Sequence, residues 1–266
     1  MSLAQIVGVL LIALLSALDG YDVLAMTFAA PSISRDWQLG KGSLGLALSS
    51  GLVGMALGSL MLAPLADRLG RRNLILVNLL LMLSGMLLTA FATNLVQLAG
   101  WRLLTGIGIG GMVPIITPLA SEFANARRRT LAISAIAIGY PVGGTVGGFA
   151  AALLLNSFHW QSVFLLGAGA AVVLLSAVIL WMPESPAFLA TRTGPGALER
   201  LNMLRMRFRQ PALSAMPLQS HAKPASSYRA IFAPRQARAT LRITLVNLLF
   251  VITVYYVRKR CELPAL

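Results

Sequence analysis

Two acidic residues, Asp19 and Asp22, stand in the middle of an apolar stretch that runs from Ile6 to Ala30. The stretch is long enough to cross a bilayer as one helix. Each carboxylate at such a depth costs about 2.5–3.5 kcal/mol on insertion scales. Residues three apart share a helix face, so the two acids point the same way. We therefore expect the pair to face a polar cavity formed with other spans, because lipid would not tolerate it.

The chemistry open to these residues is the binding of protons and of anions. Two carboxylates on one face of a low-dielectric cavity titrate as a coupled unit, which makes Asp19 and Asp22 candidates for proton binding. Arg102, in a later apolar stretch, can offer two parallel hydrogen bonds to a carboxylate. Its place near the end of that stretch fits equally well a side chain that reaches to the membrane surface. Tyr21, between the two acids, can stack on an aromatic ring.

The composition indicates a membrane protein with several spans. The chain has 266 residues, of which 57% are hydrophobic and 11% are charged, whereas a soluble domain carries about 25% charged residues. A net charge of +14 would ordinarily indicate nucleic-acid binding. Here the basic residues fall in the loops between apolar stretches, so we expect them to set the topology, and we expect no nucleic-acid partner.

Several function classes find no support in the residues. Cys261 is the one cysteine and the histidines are His159 and His221, so neither a disulfide nor a metal site is expected. No nucleophile–base pair stands out, so we expect neither an enzyme nor a cofactor. A cleaved signal peptide is disfavoured, because the first apolar stretch is long, contains two acids and lacks a basic start.

Six long apolar stretches predict six spanning helices, and a seventh stretch is shorter. In chain order they are Ile6–Ala30, Ser43–Ala66, Leu74–Thr93, Leu95–Ser121, Thr130–Leu155, Gln161–Met182 and the short Ile243–Val257. Lys and Arg are concentrated in the second, fourth and sixth loops, and such residues mark the cytoplasmic side. The N-terminus is therefore expected in the cytoplasm.

The same pattern predicts three regions. Residues 1–182 form a six-span half, residues 183–239 form a basic cytoplasmic loop with a short amphipathic helix near Leu198–Gln210, and residues 240–266 form an incomplete seventh span. We expect the basic loop to tether the chain to anionic lipid of the inner leaflet. Six spans, a long basic loop and a broken seventh span indicate the first half of a larger protein.

The turn after the second stretch, Ala63-Pro-Leu-Ala-Asp67-Arg68-Leu-Gly70-Arg71-Arg72, resembles the signature of the major facilitator superfamily. That signature runs Gly-x-Leu-Ala-Asp-Arg-x-Gly-Arg-Arg/Lys, and Ala63 replaces its first glycine. The resemblance implies an all-α membrane fold, the six-helix N-terminal half with its 3+3 inverted repeat. It also implies a cytoplasmic gate formed by the charged residues and the glycine of this turn, Asp67, Arg68, Gly70, Arg71 and Arg72.

Other segments resemble the same family. Arg102 is followed by spaced glycines from Gly106 to Gly111, which resembles the family's fourth helix, and we expect close helix contacts there. Glu122 with Arg129, and Glu184 after the sixth span, resemble the acid–arginine pairs that mirror the gate in the second three-helix repeat. The stretch Gly139–Gly144 is similar to the antiporter pattern Gly-Pro-x-x-Gly-Gly but does not match it, which favours symport.

Asp19-Gly20-Tyr21-Asp22 resembles the Asp-Gly-Phe/Tyr-Asp motif of the aromatic acid:proton symporters. The resemblance implies proton-coupled uptake of hydroxybenzoates or phenylpropanoates across a bacterial-type inner membrane. Asp19, Tyr21, Asp22 and Arg102 would then bind substrate and proton, once a missing C-terminal half completes the cavity. Two alternatives remain open: an importer of a sugar or a non-aromatic organic acid, and a truncated half without transport activity.

The loop charges generate a test of topology. In a Cys261→Ser background, Ser157→Cys should react with an impermeant thiol reagent added outside intact cells, because the loop that contains it lacks Lys and Arg. Ser226→Cys, in the basic loop, should react only after the cells are opened. Labelling of Ser226→Cys in intact cells would show that the orientation is the reverse of the expected one.

Overall fold

The computed structural model describes residues 1–191, 196–216 and 237–246, together with residues 249 and 253. Residues 1–216 of this set are built from nine α-helices and two short 3₁₀ turns, and contain no strand. The helices are α1 (Leu3–Asp36), α2 (Lys41–Leu62), α3 (Ala66–Leu69), α4 (Arg71–Ala90), α5 (Leu95–Phe123), α6 (Arg129–Ser157), α7 (Gln161–Trp181), α8 (Pro186–Thr191) and α9 (Ala197–Arg207). The 3₁₀ turns are Ala63–Leu65 and Ala126–Arg128.

Six of these elements are long and apolar enough to cross a membrane, as the sequence predicts. The first helix exceeds its predicted bounds at both ends. It begins after Ser2, whose hydroxyl accepts a hydrogen bond from the Gln5 amide while the Gln5 side chain accepts one from the Ser2 amide. It continues through Pro31 to Asp36. The second span ends as a regular helix at Leu62, before Pro64, where a 3₁₀ turn takes over.

The packing of the six spans reflects a repeat of three helices. Helix α1 packs along α6, α2 along α5, and α4 along α7. Matching the first three spans in order with the last three pairs α1 with α5, α2 with α6, and α4 with α7. This exchange turns the α1–α6 contact into the α5–α2 contact and leaves the α4–α7 contact unchanged. The predicted six-helix half with a 3+3 repeat is therefore confirmed.

Glycines bring the backbones of both repeated pairs into contact. In the α1–α6 pair, a Cβ on Gly20 would collide with the carbonyl group of Tyr140, and one on Gly143 with that of Ala17. In the α2–α5 pair, a Cβ on Gly110 would collide with the carbonyl group of Met55. Small residues permit close helix contacts in membranes, so the expected role of the glycines in the fourth span is confirmed.

The six-helix bundle has an Arg71 end and a Trp160 end. At the Arg71 end, α4 begins and α5 and α7 finish; at the Trp160 end, α5 and α7 begin. Helices α2 and α6 leave most of their apolar side chains exposed, whereas α1, α4 and α5 bury about half or more of theirs.

The predicted amphipathic helix is present as α9, with bounds Ala197–Arg207. Its apolar residues Leu201 and Leu204 are buried, and so is Phe208 just after it. The Phe208 ring meets Phe123 edge to face at 5.7 Å between centroids. The buried face of α9 therefore covers the end of α5. The expected tether of the basic loop to anionic lipid stays a prediction.

Residues 220–266 form a unit of their own. Within it, residues 237–246 are helical. The predicted seventh span, Ile243–Val257, lies largely outside the described residues.

The glycine contacts predict opposite effects for two glycine-to-alanine substitutions. Gly143→Ala forces the α1 and α6 backbones apart and should lower the stability of the helical half by about 1–3 kcal/mol, as overpacking does. Gly169→Ala in α7 meets nothing within 4 Å, and should stabilise by about 0.5–1 kcal/mol, because alanine loses less entropy in a helix. Thermal unfolding of the detergent-purified chain measures both. Equal melting temperatures for the two variants would contradict the contact.

Candidate functional site

A buried ion pair joins α1 to α5. Arg102 Nη1 donates to Asp22 Oδ1 at 2.8 Å, and Nη2 donates to Asp22 Oδ2 at 3.1 Å and to the Asp22 carbonyl oxygen at 3.0 Å. The side chains are 4% and 0% exposed, respectively. Two parallel N–H···O bonds are the geometry in which a guanidinium holds a carboxylate most firmly. Each charge thus neutralises the other inside the apolar bundle.

This geometry decides the role left open for Arg102. The residue lies seven positions after the start of α5, about 10 Å into the bundle at 1.5 Å per residue. Its side chain points to α1 and is buried. A side chain that reaches to the membrane surface is therefore excluded in this structure.

Asp19, one turn before Asp22, is in a different environment. It is 1% exposed, and neither of its carboxylate oxygens has a hydrogen-bond partner among the described residues. An ionised carboxylate without a partner is very costly to bury. The two acids are therefore not equivalent: both carboxylate oxygens of Asp22 accept hydrogen bonds from Arg102, whereas those of Asp19 accept none from the described residues.

Both acids are enclosed by the six-helix half itself. We expected a missing C-terminal half to complete the cavity around Asp19 and Asp22, but the six helices bury both side chains by themselves. The buried side of α1 carries the acids together with Leu15 and Met26. The cause is that the half contains its own counter-ion, Arg102, so the pair faces inward.

Tyr21 fixes the position of α1 beside the ion pair. Its ring fits against Gly147 of α6 and Gly167 of α7, and its hydroxyl donates a hydrogen bond to the Val163 carbonyl oxygen. The expected stacking of Tyr21 on a bound aromatic ring does not fit this structure, because the ring is buried and the hydroxyl is used inside the bundle. Ser16 makes a similar link, donating to the Ile136 carbonyl oxygen at 2.9 Å.

A small cavity opens next to Arg102 between α1, α2 and α5. Its volume is about 30 Å³, and Arg102 contributes the charge in a lining that is otherwise apolar: Val23, Met26, Leu48, Gly51, Leu52, Met55, Gly106 and Ile109. A space of this size accommodates a water molecule or two. An aromatic acid does not fit it, so the site is closed in this conformation.

A second charged cluster closes the Arg71 end. Arg71 of α4 forms an ion pair with Glu122 at the end of α5. The Ser185 hydroxyl donates to Glu122 Oε2 at 2.5 Å. Glu184 Oε1 accepts from the backbone amides of Arg72 at 3.0 Å and Ser185 at 2.9 Å. A carboxylate that accepts from the first turn of α4 is favoured by the helix dipole.

The ion pairing in this cluster differs from the expected pairing. Glu122 pairs with Arg71, while Arg129 is exposed and forms no ion pair within the described residues. Asp67 is exposed, and it too lacks an ion pair in that part of the chain. The reason is position: Arg129 begins α6 beyond a 3₁₀ turn, whereas Arg71 directly faces the end of α5.

The other residues of the predicted gate occupy distinct places in the same turn. Gly70 has φ +95°, a conformation that L side chains rarely adopt, and it lies against the Glu184 carboxylate and Phe188. Arg72 Nη2 donates to the Ile179 carbonyl oxygen at 2.7 Å. Arg68 is exposed. The glycine at this position therefore lets the chain turn closely around Glu184.

Two residues that contact these charged groups, Ser185 and Phe164, had no role predicted from the sequence. Ser185 is fully buried in the charged cluster, and its only signal was its place beside Glu184. Phe164 of α7 lies with its ring centroid 5.7 Å from Cζ of Arg102. Its distance along the chain from Arg102 gives no signal of that contact. The described residues hold no group of three His, Cys, Asp or Glu that would suit a metal ion.

The described residues form a bundle of six membrane-length helices with a buried ion pair between two of them. The family model described as "Major Facilitator Superfamily" matches residues 9–258. The chain therefore belongs to the major facilitator superfamily.

Two relatives and one solved structure illustrate the similarity. The chain is 40% identical over 174 residues to the 4-hydroxybenzoate transporter PcaK of Acinetobacter baylyi, covering 65% of this chain and 38% of PcaK. It is 35% identical over 241 residues to a gallate transporter of Pseudomonas putida, covering 89% and 53%. The crystallised proton:xylose symporter XylE superposes with a TM-score of 0.70 at 18% identity, over 77% of this chain and 50% of XylE. The chain spans about half the length of the relatives it matches.

Because of the ion pair, substitutions of Asp22 and Arg102 should have strongly non-additive effects on stability. Asp22→Asn leaves Arg102 as a buried charge without its counter-ion and should lower the stability by about 3–5 kcal/mol, as should Arg102→Gln for the opposite reason. The double variant removes both charges and should be more stable than either single variant. Thermal unfolding of the purified chain provides the comparison. Losses that simply add would show that the two charges do not interact.

Proposed function

We propose that this chain is the N-terminal half of a secondary transporter that takes up aromatic acids together with protons. The observation that carries the proposal is the buried Asp22–Arg102 pair beside the unpaired Asp19. The relatives named as 4-hydroxybenzoate and gallate transporters supply the solute class. The loop charges support an inner-membrane location with the N-terminus in the cytoplasm.

On the substrate side, Arg102 binds the carboxylate of the acid. Its donor edge is now occupied by Asp22, and a substrate carboxylate presents the same two acceptor oxygens. Substrate and Asp22 therefore compete for one guanidinium edge. Selectivity for anions follows, because a neutral solute cannot replace a carboxylate in this pair.

On the proton side, the exchange of partners leaves a charge to be balanced. When the substrate takes Arg102, Asp22 becomes a buried carboxylate with Asp19 one turn away. Two carboxylates on one face of an apolar bundle do not both stay ionised, so a proton must accompany the substrate. Asp19, whose carboxylate oxygens have no hydrogen-bond partner among the described residues, is the group that receives and later releases this proton.

At the Arg71 end, the charged cluster acts as the cytoplasmic gate. The Arg71–Glu122 pair and the contacts of Ser185 and Glu184 link α4, α5 and the segment after α7. Asp67 and Arg129, exposed here, are available to pair with a second half when the gate closes. Alternating access then follows from rocking of the two halves around the site.

Transport requires that second half. The cavity beside Arg102 does not hold an aromatic acid, and major facilitator sites lie between two six-helix halves. Helices α2 and α6 offer the exposed apolar faces on which such a half can pack.

Uptake of radiolabelled 4-hydroxybenzoate tests the proposal. The chain is produced in bacterial cells alone, or together with the C-terminal half of the Pseudomonas putida gallate transporter as a separate polypeptide. With the second half, an external pH one unit below the internal pH should drive accumulation of the labelled acid. The ratio of internal to external concentration should reach up to about tenfold, which is the ratio equivalent to one proton. Without it, no accumulation should occur. Xylose and succinate should not compete with the labelled acid.

Asp19→Asn tests whether Asp19 carries the transported proton. The amide keeps the shape of the neutral acid but cannot release a proton, so pH-driven accumulation should fall to about onefold, while exchange of labelled for unlabelled acid continues. Asp36→Asn, at the exposed end of the same helix, serves as the matched control and should accumulate normally. Normal accumulation by Asp19→Asn would remove this residue from the proton path.

A further inference from the structure

Phe164, near the start of α7, lies against the cation of the buried pair. Its ring centroid is 5.7 Å from Cζ of Arg102, and the ring is fully buried. The negative face of an aromatic ring attracts a guanidinium, and the attraction is strongest where water is excluded. Arg102 thus has two partners, a carboxylate on α1 and a ring on α7.

The two partners act on different parts of the guanidinium. The three hydrogen bonds that Arg102 donates to the described residues go to Asp22, and they use the Nη1 and Nη2 atoms at the edge of the group. The ring interacts with the charge as a whole and needs no donor. Arg102 can therefore lose its carboxylate partner and keep its contact with the Phe164 ring.

The ring is itself held firmly in place. Trp160 meets Phe164 edge to face at 5.9 Å, and Trp37, at the end of α1, meets Trp160 at 5.5 Å. Tyr21 donates to the Val163 carbonyl oxygen. Because Tyr21 precedes Asp22 and Val163 precedes Phe164, this bond sets the distance between the acid on α1 and the ring on α7.

We infer that Phe164 is a positioning residue that keeps the donor edge of Arg102 turned toward α1 while its carboxylate partner changes. In the moment of exchange between Asp22 and the substrate, a buried cation would otherwise have no partner. The ring neither titrates nor leaves, so it holds the guanidinium through that step. The inference rests on the proposed function, since it takes the substrate carboxylate as the second partner of Arg102.

Fluorinated phenylalanines at position 164 test this role without changing the shape of the ring. Each fluorine weakens the negative face, and incorporation at a stop codon gives a series with one, two and three fluorines. In cells that also contain the second half, KM for 4-hydroxybenzoate should rise stepwise to about tenfold, while the maximal rate stays within about twofold. The same series at Phe123, which is equally buried but packs on Phe208, should show no trend in KM.

Thermal unfolding of the chain alone provides a second, independent measurement. Trifluorophenylalanine at position 164 should lower the melting temperature by about 2–4 °C more in the parent chain than in the Asp22→Asn, Arg102→Gln background, because only the parent has the cation. Equal losses in both backgrounds would refute the ring–cation contact.

The two measurements separate this inference from the proposed function. A flat KM series in an active transporter overturns the positioning role of Phe164. Absence of uptake by the unmodified protein overturns the proposed function, and with it the substrate step of this inference, whereas the melting temperatures still decide whether the ring and the cation interact.

Discussion

A guanidinium that must stay inside an apolar bundle governs the arrangement of this protein. The Arg102 side chain is buried, so a carboxylate has to be brought to it, and α1 supplies Asp22 with both oxygens in hydrogen-bond range. The contact fixes the rotation of α1, because Asp22 must face α5. That rotation also turns Asp19 and Tyr21 inward. The burial of an unpaired acid and the hydrogen bond from Tyr21 to α7 are consequences of the same requirement.

The glycines make this arrangement geometrically accessible. Gly20 lies between the two acids, and its lack of a Cβ lets α1 touch the backbone of α6 on the opposite side. Gly106 and Gly110 follow Arg102 along α5 and play the same part against α2. Each of the helices that carry a charge is thus held by backbone contact to a neighbour. The charged side chains need not hold the helices together by themselves, so the fold does not depend on the ion pair alone.

The sequence predicted the elements well and the partners poorly. Apolar length is a property of each stretch alone, which is why six spans were found, although α1 continues past Pro31 because a proline is tolerated when its neighbours satisfy the freed backbone group. Asp19, Asp22 and Arg102 were found because charges are rare at such depth. Their pairing depends on the rotation of separate helices, so neither the Asp22–Arg102 pair nor the choice of Arg71 for Glu122 was predictable. The hydrogen bond from Tyr21 to α7 was not predictable for the same reason.

Helix α5 carries a cation near one end and an anion at the other. Arg102 and Glu122 are twenty positions apart, about 30 Å along the helix, and they pair with α1 and α4 respectively. A shift of α5 alone along its axis would break both pairs at once. The charges therefore favour motion of the six helices as one body. Rocking of a rigid half against a second half is the kind of motion that the proposed transport cycle requires.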